Sequence, residues 1–414
     1  MTVNFSGTMS KIDERLIPEC NIGMLGHVSH GKTSLTYTLS GKITLTHSEE
    51  LKRGITIRLG YADVTIYRCT SCSKYGMSAK CTYCFSDAAP ERTISIIDSP
   101  GHETLMATVL TGTSLMDGTL FIIAANERCP QLQTVEHLIA LETAGIKNVI
   151  VVQSKVDLVT KEEAMENYNE IKKFLKGTHI ENAPIIPVSA QLKLNIDKLL
   201  EAVQKNIPTV KRNLNGKPKM LVARSFDVNR PGTEIEKLSG GVLGGSLIEG
   251  KMRVGDEVEI KPGIRVSGKY IPLRTKIVGL HKAGKKLEEA GAGGLLGMMT
   301  SLDPSVTKSD TLVGNMISEV NGLPEAKSNL KLEINFVERV LKDLPAHLKE
   351  LKIDDILLIN VGTARSIGTV TNKKKNDIEL SLKIPVCVYK EDRVVISKQI
   401  EGRWRLIGYG KIEL

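Results

Sequence analysis

In the first half of the chain, short continuous apolar runs alternate with longer stretches whose apolar positions recur at helical spacing. The runs at 22–25, 94–97, 119–124, 148–152 and 185–188 have the length and continuity of strands buried on both faces. Helices are predicted between them near 103–116, 132–144, 161–176 and 196–203. The third of these sets Ala164, Ile171 and Leu175 among Glu and Lys, the pattern of an amphipathic surface helix. Strands and helices in alternation predict a doubly wound α/β domain ending near Pro208. The pattern then changes. Residues 209–218 are polar and rich in breakers, as in a linker. Short β-like runs follow at 219–228, 241–249, 257–260, 275–280, 294–300 and 312–317. After Asn321-Gly322-Leu323-Pro324, a second set lies at 330–337, 355–361, 367–371, 377–384, 393–397 and 403–412. The expected organisation is an α/β domain (1–208) and two small β-barrels (209–322 and 323–414).

Composition narrows the class. With 41% hydrophobic and 25% charged residues over 414 positions, the chain suits a soluble protein of two to three domains. No apolar stretch approaches the roughly 20 residues of a membrane span. The first residues carry Lys11, Asp13, Glu14 and Arg15 without an apolar segment, so a cytoplasmic protein without a signal peptide is expected. A net charge of +9 permits a polyanionic partner such as RNA, and solubility explains it equally well. Of seven cysteines, Cys20, Cys129 and Cys387 stand apart and read as small core residues. The other four, Cys69-x2-Cys72 and Cys81-x2-Cys84, form two pairs able to close a tetrahedral sulfur shell. In a reducing compartment this favours a structural zinc ion stapling the polar segment 68–92 over a disulfide or a redox pair.

Chemistry concentrates around residues 26–33, Gly-His-Val-Ser-His-Gly-Lys-Thr. They fit the phosphate-cradling pattern G-x-x-x-x-G-K-[ST] between a strand and a helix. Gly26 and Gly31 let backbone N–H groups face phosphate oxygens. Ser29, His30, Gly31, Lys32, Thr33 and Ser34 form the expected phosphate site, with Lys32 on the terminal phosphates and Thr33 on magnesium. Asp98, 65 positions after Thr33, ends an apolar run and suits a magnesium-side carboxylate acting through water. In Asp98-Ser-Pro-Gly101-His102, Gly101 can offer its N–H to a γ-phosphate and His102 can orient the attacking water. Thr56, in Arg53-Gly54-Ile55-Thr56, can close over the metal as a switch. Asp157, in Ser154-Lys155-Val156-Asp157, can accept two hydrogen bonds from guanine, and adenine offers no such donor pair. The Lys155 stem can cover the base plane, and Ser189-Ala190 can add a backbone N–H.

GHVSHGKT, RGIT, DSPGH, SKVD and SA occur in the order and spacing of translational GTPases. Together with KRGITIRLGYA, the cysteine insert and the ending QIEGRWRLIGYGKIEL, the chain resembles the archaeal gamma subunits of translation initiation factor 2 from about residue 19 onward. The resemblance implies a GTP-switched carrier of methionyl initiator tRNA, acting with alpha and beta subunits on the small ribosomal subunit. It implies GTP/GDP, Mg2+ and Zn2+ as cofactors and hydrolysis that is slow without a partner. It also brings Gly54 and Ser29 to a magnesium site and Gln191 to the base. The family pattern has Asp where this chain has Ser29, Asn where it has Ser154, and commonly Leu where it has Gln191. Tyr61 falls near the family's aminoacyl pocket, with core packing as its other reading. Arg393, Lys398, Arg403 and Arg405 form a basic cluster able to meet tRNA phosphates. Two rival readings remain: an aminoacyl-tRNA-delivering elongation factor, general or selenocysteine-specific, and a scaffold that binds GTP but barely hydrolyses it. The cysteine insert argues against the first.

Overall fold

The computed structural model describes residues 13–45, 50, 56–337, 350–400 and 402–413. The first sheet contains β1 (Pro18–Leu25), β2 (Gly60–Cys69), β3 (Tyr75–Gly76), β4 (Ala88–Asp98), β5 (Gly118–Ala124), β6 (Val149–Ser154) and β7 (Ile185–Pro187), in the order β3-β2-β4-β1-β5-β6-β7. From β4 to β7 the strands are parallel. Their side chains alternate between two cores, as strand geometry requires. Phe121 and Ile123 face Leu110, Leu138 and Ile171, whereas Leu120 and Ile122 face Leu35, Leu39 and Leu199. Helices α1 (Lys32–Ser40) and α5 (Ile196–Asn206) therefore cover one face. Helices α2 (Met106–Thr113), α3 (Leu132–Ala144) and α4 (Lys161–Leu175) cover the other. The doubly wound expectation holds for these strands.

One long strand was absent from the sequence reading. β2 runs antiparallel to β4 along its length, and with it carries the cysteine segment. Its alternation of Ala62, Val64 and Ile66 inward was legible, but Asp63, Thr65 and Tyr67 break up any continuous apolar run. The expected helix near 103–116 is also shorter: a 3-10 turn at Glu103–Leu105 precedes α2.

Two closed barrels follow. The first joins β8 (Lys219–Phe226), β9 (Val242–Glu249), β11 (Glu257–Val266), β12 (Lys269–Lys282), β15 (Leu295–Thr300) and β16 (Met316–Glu319), with β11–β12 pairing completing the ring; the short β10 (Lys251–Arg253) pairs with β14 (Glu289–Gly291), and β13 (Lys285–Leu287) pairs with β12. The second joins β17 (Lys327–Phe336), β18 (Ile356–Val361), β19 (Ala364–Lys374), β20 (Asp377–Val386), β21 (Arg393–Ile400) and β22 (Arg403–Glu413). Met298 lies in the first barrel's core, while Met299, one residue on, is only half-buried on the opposite face of its strand. Both barrels touch the α/β unit. Leu295 N–H donates to Ser95 Oγ at 3.1 Å, and Arg212 pairs with Asp117 at 2.5 Å. Arg405 pairs with Glu136 on α3.

Candidate nucleotide site and cysteine cluster

The loop between β1 and α1 takes backbone conformations that its residues dictate. Gly26 and Gly31 lie at φ of 143° and 91°, in the region glycine enters without strain, and Ser29 joins them at 62°. A cavity of about 170 Å³ opens here. Ser29, Gly31, Lys32, Thr33, Ser34, Thr56, Gly101, His102 and Lys155 all line it. Lys32 Nζ donates to the carbonyls of Gly26 (2.8 Å) and His27 (2.7 Å). Burial pulls its pKa down to about 8, against the opposing charge of Asp98. Gly101 packs onto the same loop. A Cβ there would lie 2.8 Å from Val28 N and 2.9 Å from the His27 carbonyl carbon, both backbone atoms.

At the floor, Thr33 Oγ1 lies 3.0 Å from Thr56 Oγ1 and donates to Asp98 Oδ2 at 2.8 Å. Asp98 is fully buried, and burial raises its pKa despite hydrogen bonds from Thr44 and Thr33. Its Oδ1 has no hydrogen-bond partner among the described residues. Two hydroxyls converging on a carboxylate with an orphaned oxygen fit a hard divalent cation such as magnesium.

The structure adds residues that the sequence reading missed. Thr44 Oγ1 donates to Asp98 Oδ2 at 2.7 Å. The buried Glu50 carboxylate accepts the N–H groups of Ile57 (3.0 Å) and Arg58 (2.9 Å), pinning the backbone just after Thr56. Nothing in the local pattern marks either residue, because both act through chain segments distant in sequence.

Two placements correct the expectation. The His30 imidazole does not face the phosphate cavity. It is buried between the Ile122 carbonyl (3.1 Å) and Glu127 (3.3 Å), and desolvation lowers its pKa to about 4. Only its backbone serves the loop. Ser154 Oγ donates to the His30 carbonyl at 2.6 Å, so it braces the phosphate loop against the end of β6 and does not reach outward to a base. Lys155, at φ 57°, then turns the chain so that Asp157 is exposed in a short 3-10 turn. Across the opening, the Ser189 hydroxyl accepts from Leu192 N–H (3.1 Å), and its own N–H donates to Leu194 O (3.3 Å). Ala190 O accepts from Thr38, and Gln191 is exposed. His102 is exposed at the cavity rim, its Nδ1 2.9 Å from Thr104 Oγ1. Gly54 lies outside the described residues.

The basic residues assigned to tRNA are mostly engaged within the protein. Arg393 donates to Thr143 O (3.4 Å) and stacks on Tyr409, and Arg405 pairs with Glu136. Lys398 is buried on Asp355 (2.8 Å) and Glu350 O (3.0 Å). Lys398 is thus buried, while Arg405 and the still exposed Arg393 lean on α3, which sequence clustering does not reveal. Arg403 is exposed at the β21–β22 turn. Tyr61 packs against the first barrel. Its buried hydroxyl, beside Arg224 and Asp310, has no partner among the described residues, and burial raises its pKa. Next to it, Arg58, Arg224, Arg230 and Lys308 line a cavity of about 560 Å³.

The four cysteines converge, with all sulfurs within 4.8 Å of one another. Cys69 and Cys84 sulfurs lie 3.4 Å apart, and Cys72 and Cys81 sulfurs 3.5 Å apart. A tetrahedral zinc–thiolate shell needs about 3.8 Å between sulfurs. Each pair is followed by a residue in the left-handed region, Ser73 (φ 58°) and Phe85 (φ 60°), so the two halves form matching turns. The donor set and its geometry fit Zn2+.

Known proteins agree with this geometry. The family described as Elongation factor Tu GTP binding domain matches residues 18–209, and Initiation factor eIF2 gamma, C terminal, matches 328–412. The translation initiation factor 2 subunit gamma of Pyrococcus furiosus is 54% identical over 400 residues, 95% of this chain and 97% of that one. The Methanocaldococcus jannaschii protein of the same name is 50% identical over 414 residues, covering 98% and 100%. Among solved structures, a bacterial selenocysteine-specific elongation factor superposes with a TM-score of 0.74 at 24% identity, covering 96% of this chain and 58% of its own. The Methanococcus maripaludis elongation factor SelB, solved with the GTP analogue GppNHp, reaches 0.72 at 22% identity, covering 96% and 79%. These likenesses concern the fold alone, whereas the initiation-factor relatives are far closer in sequence. A translational GTPase domain implies GTP/GDP and Mg2+ as cofactors. The chain belongs to the family of translation initiation factor 2 gamma subunits.

Proposed function

We propose that the chain is the GTP-switched subunit that carries methionyl initiator tRNA to the small ribosomal subunit, in a cytoplasmic heterotrimer with alpha and beta subunits. The observation that carries the switch is the meeting of Thr33, Thr56 and Asp98 beside the Lys32 cavity. Magnesium, held by Thr33 and Thr56 with Asp98 acting through water, would neutralise phosphate charge. The amides of Ser29 to Ser34 would cradle the phosphates, the Gly101 N–H would sense the γ-phosphate, and His102 would orient the attacking water. Phosphoryl transfer then needs positioning and charge stabilisation and no covalent nucleophile. Asp157 and Lys155 would read guanine, helped by an N–H from Ala190 or Gln191. The Ser189 N–H is already engaged.

For tRNA, the basic cavity beside Tyr61 replaces the C-terminal cluster as the favoured contact. Arg58 comes two residues after the switch threonine, and its ion pair with Asp310 (3.2 Å) links that segment to the first barrel. Ordering at Thr56 would thereby reshape this cavity. Arg393 and Arg403 are the members of the original cluster still exposed to solvent.

The test combines two measurements on the full chain. Calorimetry with magnesium should show uptake of GTP and GDP, and His102→Ala should lower single-turnover hydrolysis at least tenfold. In the assembled heterotrimer, methionyl initiator tRNA should bind more tightly with a GTP analogue than with GDP. A preference for elongator aminoacyl-tRNAs would refute the assignment, and equal hydrolysis by wild type and His102→Ala would remove His102 from the reaction.

A further inference from the structure

Helix α3 carries a buried polar face without an aligned hydrogen-bond partner among the described residues. His137 is 0% exposed, yet neither ring nitrogen has a hydrogen-bond partner among the described residues. Thr134, three residues earlier and so on the same helix face, is equally buried with its hydroxyl unpartnered. Gln133 and, in the phosphate loop, His27 face one another, with Gln133 Oε1 and His27 Nδ1 short of hydrogen-bond geometry among the described residues. Buried polar groups are almost always paired, because an orphan keeps the cost of leaving water and receives nothing in return. A cluster of them points to a partner arriving in another conformation.

The geometry identifies that partner. The Gly101 carbonyl already lies close enough to His137 to hold its pKa up slightly, but it is not aligned for a full hydrogen bond. On its other side Gly101 is pressed onto the phosphate loop, where a Cβ would come within 2.4 Å of Lys32 Nζ. Gly101 is thus placed between the phosphate cavity and the orphaned face of α3. Burial, reinforced by the Lys32 charge, lowers the His137 pKa to about 3, so its ring is neutral, with one donor and one acceptor nitrogen.

We propose that His137 is a positioning residue for GTP hydrolysis: its ring N–H takes the Gly101 carbonyl when a terminal phosphate, entering beside Lys32, pushes Gly101 off the phosphate loop toward α3. The anchored Gly101–His102 peptide then sets where the His102 imidazole stands. Part of this switch's driving force comes from satisfying the orphans on α3, which makes the phosphate-bound arrangement more complete in hydrogen bonds than the one described. The inference rests on the proposed reading of 98–102 as the terminal-phosphate sensor.

The test uses the full chain with magnesium and three variants, His137→Leu, His137→Gln and His102→Ala. GDP and GppNHp affinities are measured by calorimetry, hydrolysis in single turnover, and Tm with GDP bound. His137→Leu should keep GDP affinity within twofold and its Tm unchanged or higher. It should lose at least tenfold in GppNHp affinity and in hydrolysis. His137→Gln, whose amide can still donate to the Gly101 carbonyl, should recover most of both. Wild-type GppNHp affinity in His137→Leu would overturn the proposal. So would equal loss toward GDP and GppNHp in both His137 variants, which would mark a packing role. His102→Ala separates this inference from its parent. If it hydrolyses GTP like wild type, the catalytic reading of His102 fails, while the GppNHp-to-GDP preference of the His137 variants still decides the role of His137.

Discussion

At the scale of single residues, one departure from the family pattern acquires a physical meaning. Ser154 spends its hydroxyl on the His30 carbonyl at 2.6 Å, inside the protein. Ser154→Ala should therefore loosen the phosphate loop, weakening GTP and GDP alike by up to about tenfold, the scale of one neutral hydrogen bond. Calorimetry checks this, and a loss confined to GTP would contradict it. On the proposed reading, base choice is left to Asp157. Asp157→Asn should weaken GTP and favour xanthosine triphosphate in competition binding, because the amide can donate to the xanthine oxygen where the carboxylate accepts from guanine. Gly101 is a position of close approach. Gly101→Ala would press a methyl group into the Val28 and His27 backbone, so hydrolysis should fall at least tenfold with GDP affinity largely kept. These residues were legible as a nucleotide site because their motifs are local. Thr44, Glu50, the inward turn of His30 and the orphaned His137 were not, since each matters through a partner at least seven positions away in the chain.

At the scale of elements, the cysteine segment hangs from β2 and the start of β4. Ala88 and Asp98 are ten residues apart along β4, about 33 Å at strand rise. Metal removal should thus act locally. Chelation or Cys81→Ser should release about one zinc per chain and expose residues 69–87 to protease. GTP affinity should stay within about twofold. A general loss of nucleotide binding would mean that the knuckle supports the site directly. In the first barrel, Lys282 donates to the carbonyls of Gly291 (2.7 Å) and Gly293, and burial lowers its pKa from 10.5 to about 8. The folded chain releases this proton at lower pH than the unfolded chain. From about pH 8 to 10.5 the unfolded state therefore binds more protons, and this lysine's contribution makes stability rise with pH. Below pH 8 both states are protonated and the contribution is flat. Denaturant titrations of wild type against Lys282→Met should show that pH-dependent difference. The cysteine spacing announced its cluster in advance. The burial of Lys282 was invisible, because the strands that enclose it are brought together only by barrel closure.

At the scale of the whole molecule, α3 connects the nucleotide site to the second barrel. The residue next to His137, Glu136, pairs with Arg405, and Thr143 at the far end of the helix accepts from Arg393. A change at the Gly101 segment that moves α3 would be transmitted to the second barrel through these contacts. Replacing Glu136 and Arg405 singly and together should reveal a coupling of about 1–2 kcal/mol in unfolding free energy. It should also make cleavage within the linker at 209–218 faster. Additive effects would show that the pair contributes nothing to holding the domains.

By itself, the sequence determined the alternation of elements, the phosphate loop, the place of the Ser154–Asp157 motif after its strand and the cysteine pairs. Each is set by periodicity or by residues adjacent in the chain, and short-range geometry follows from them. The tertiary structure decided which charges face solvent and which buried polar groups lack partners. It buried Lys398, engaged Arg393 and Arg405 with α3 and set Tyr61 against Arg224. The reason is that burial and pairing depend on which distant segments packing brings together, and no local pattern encodes that.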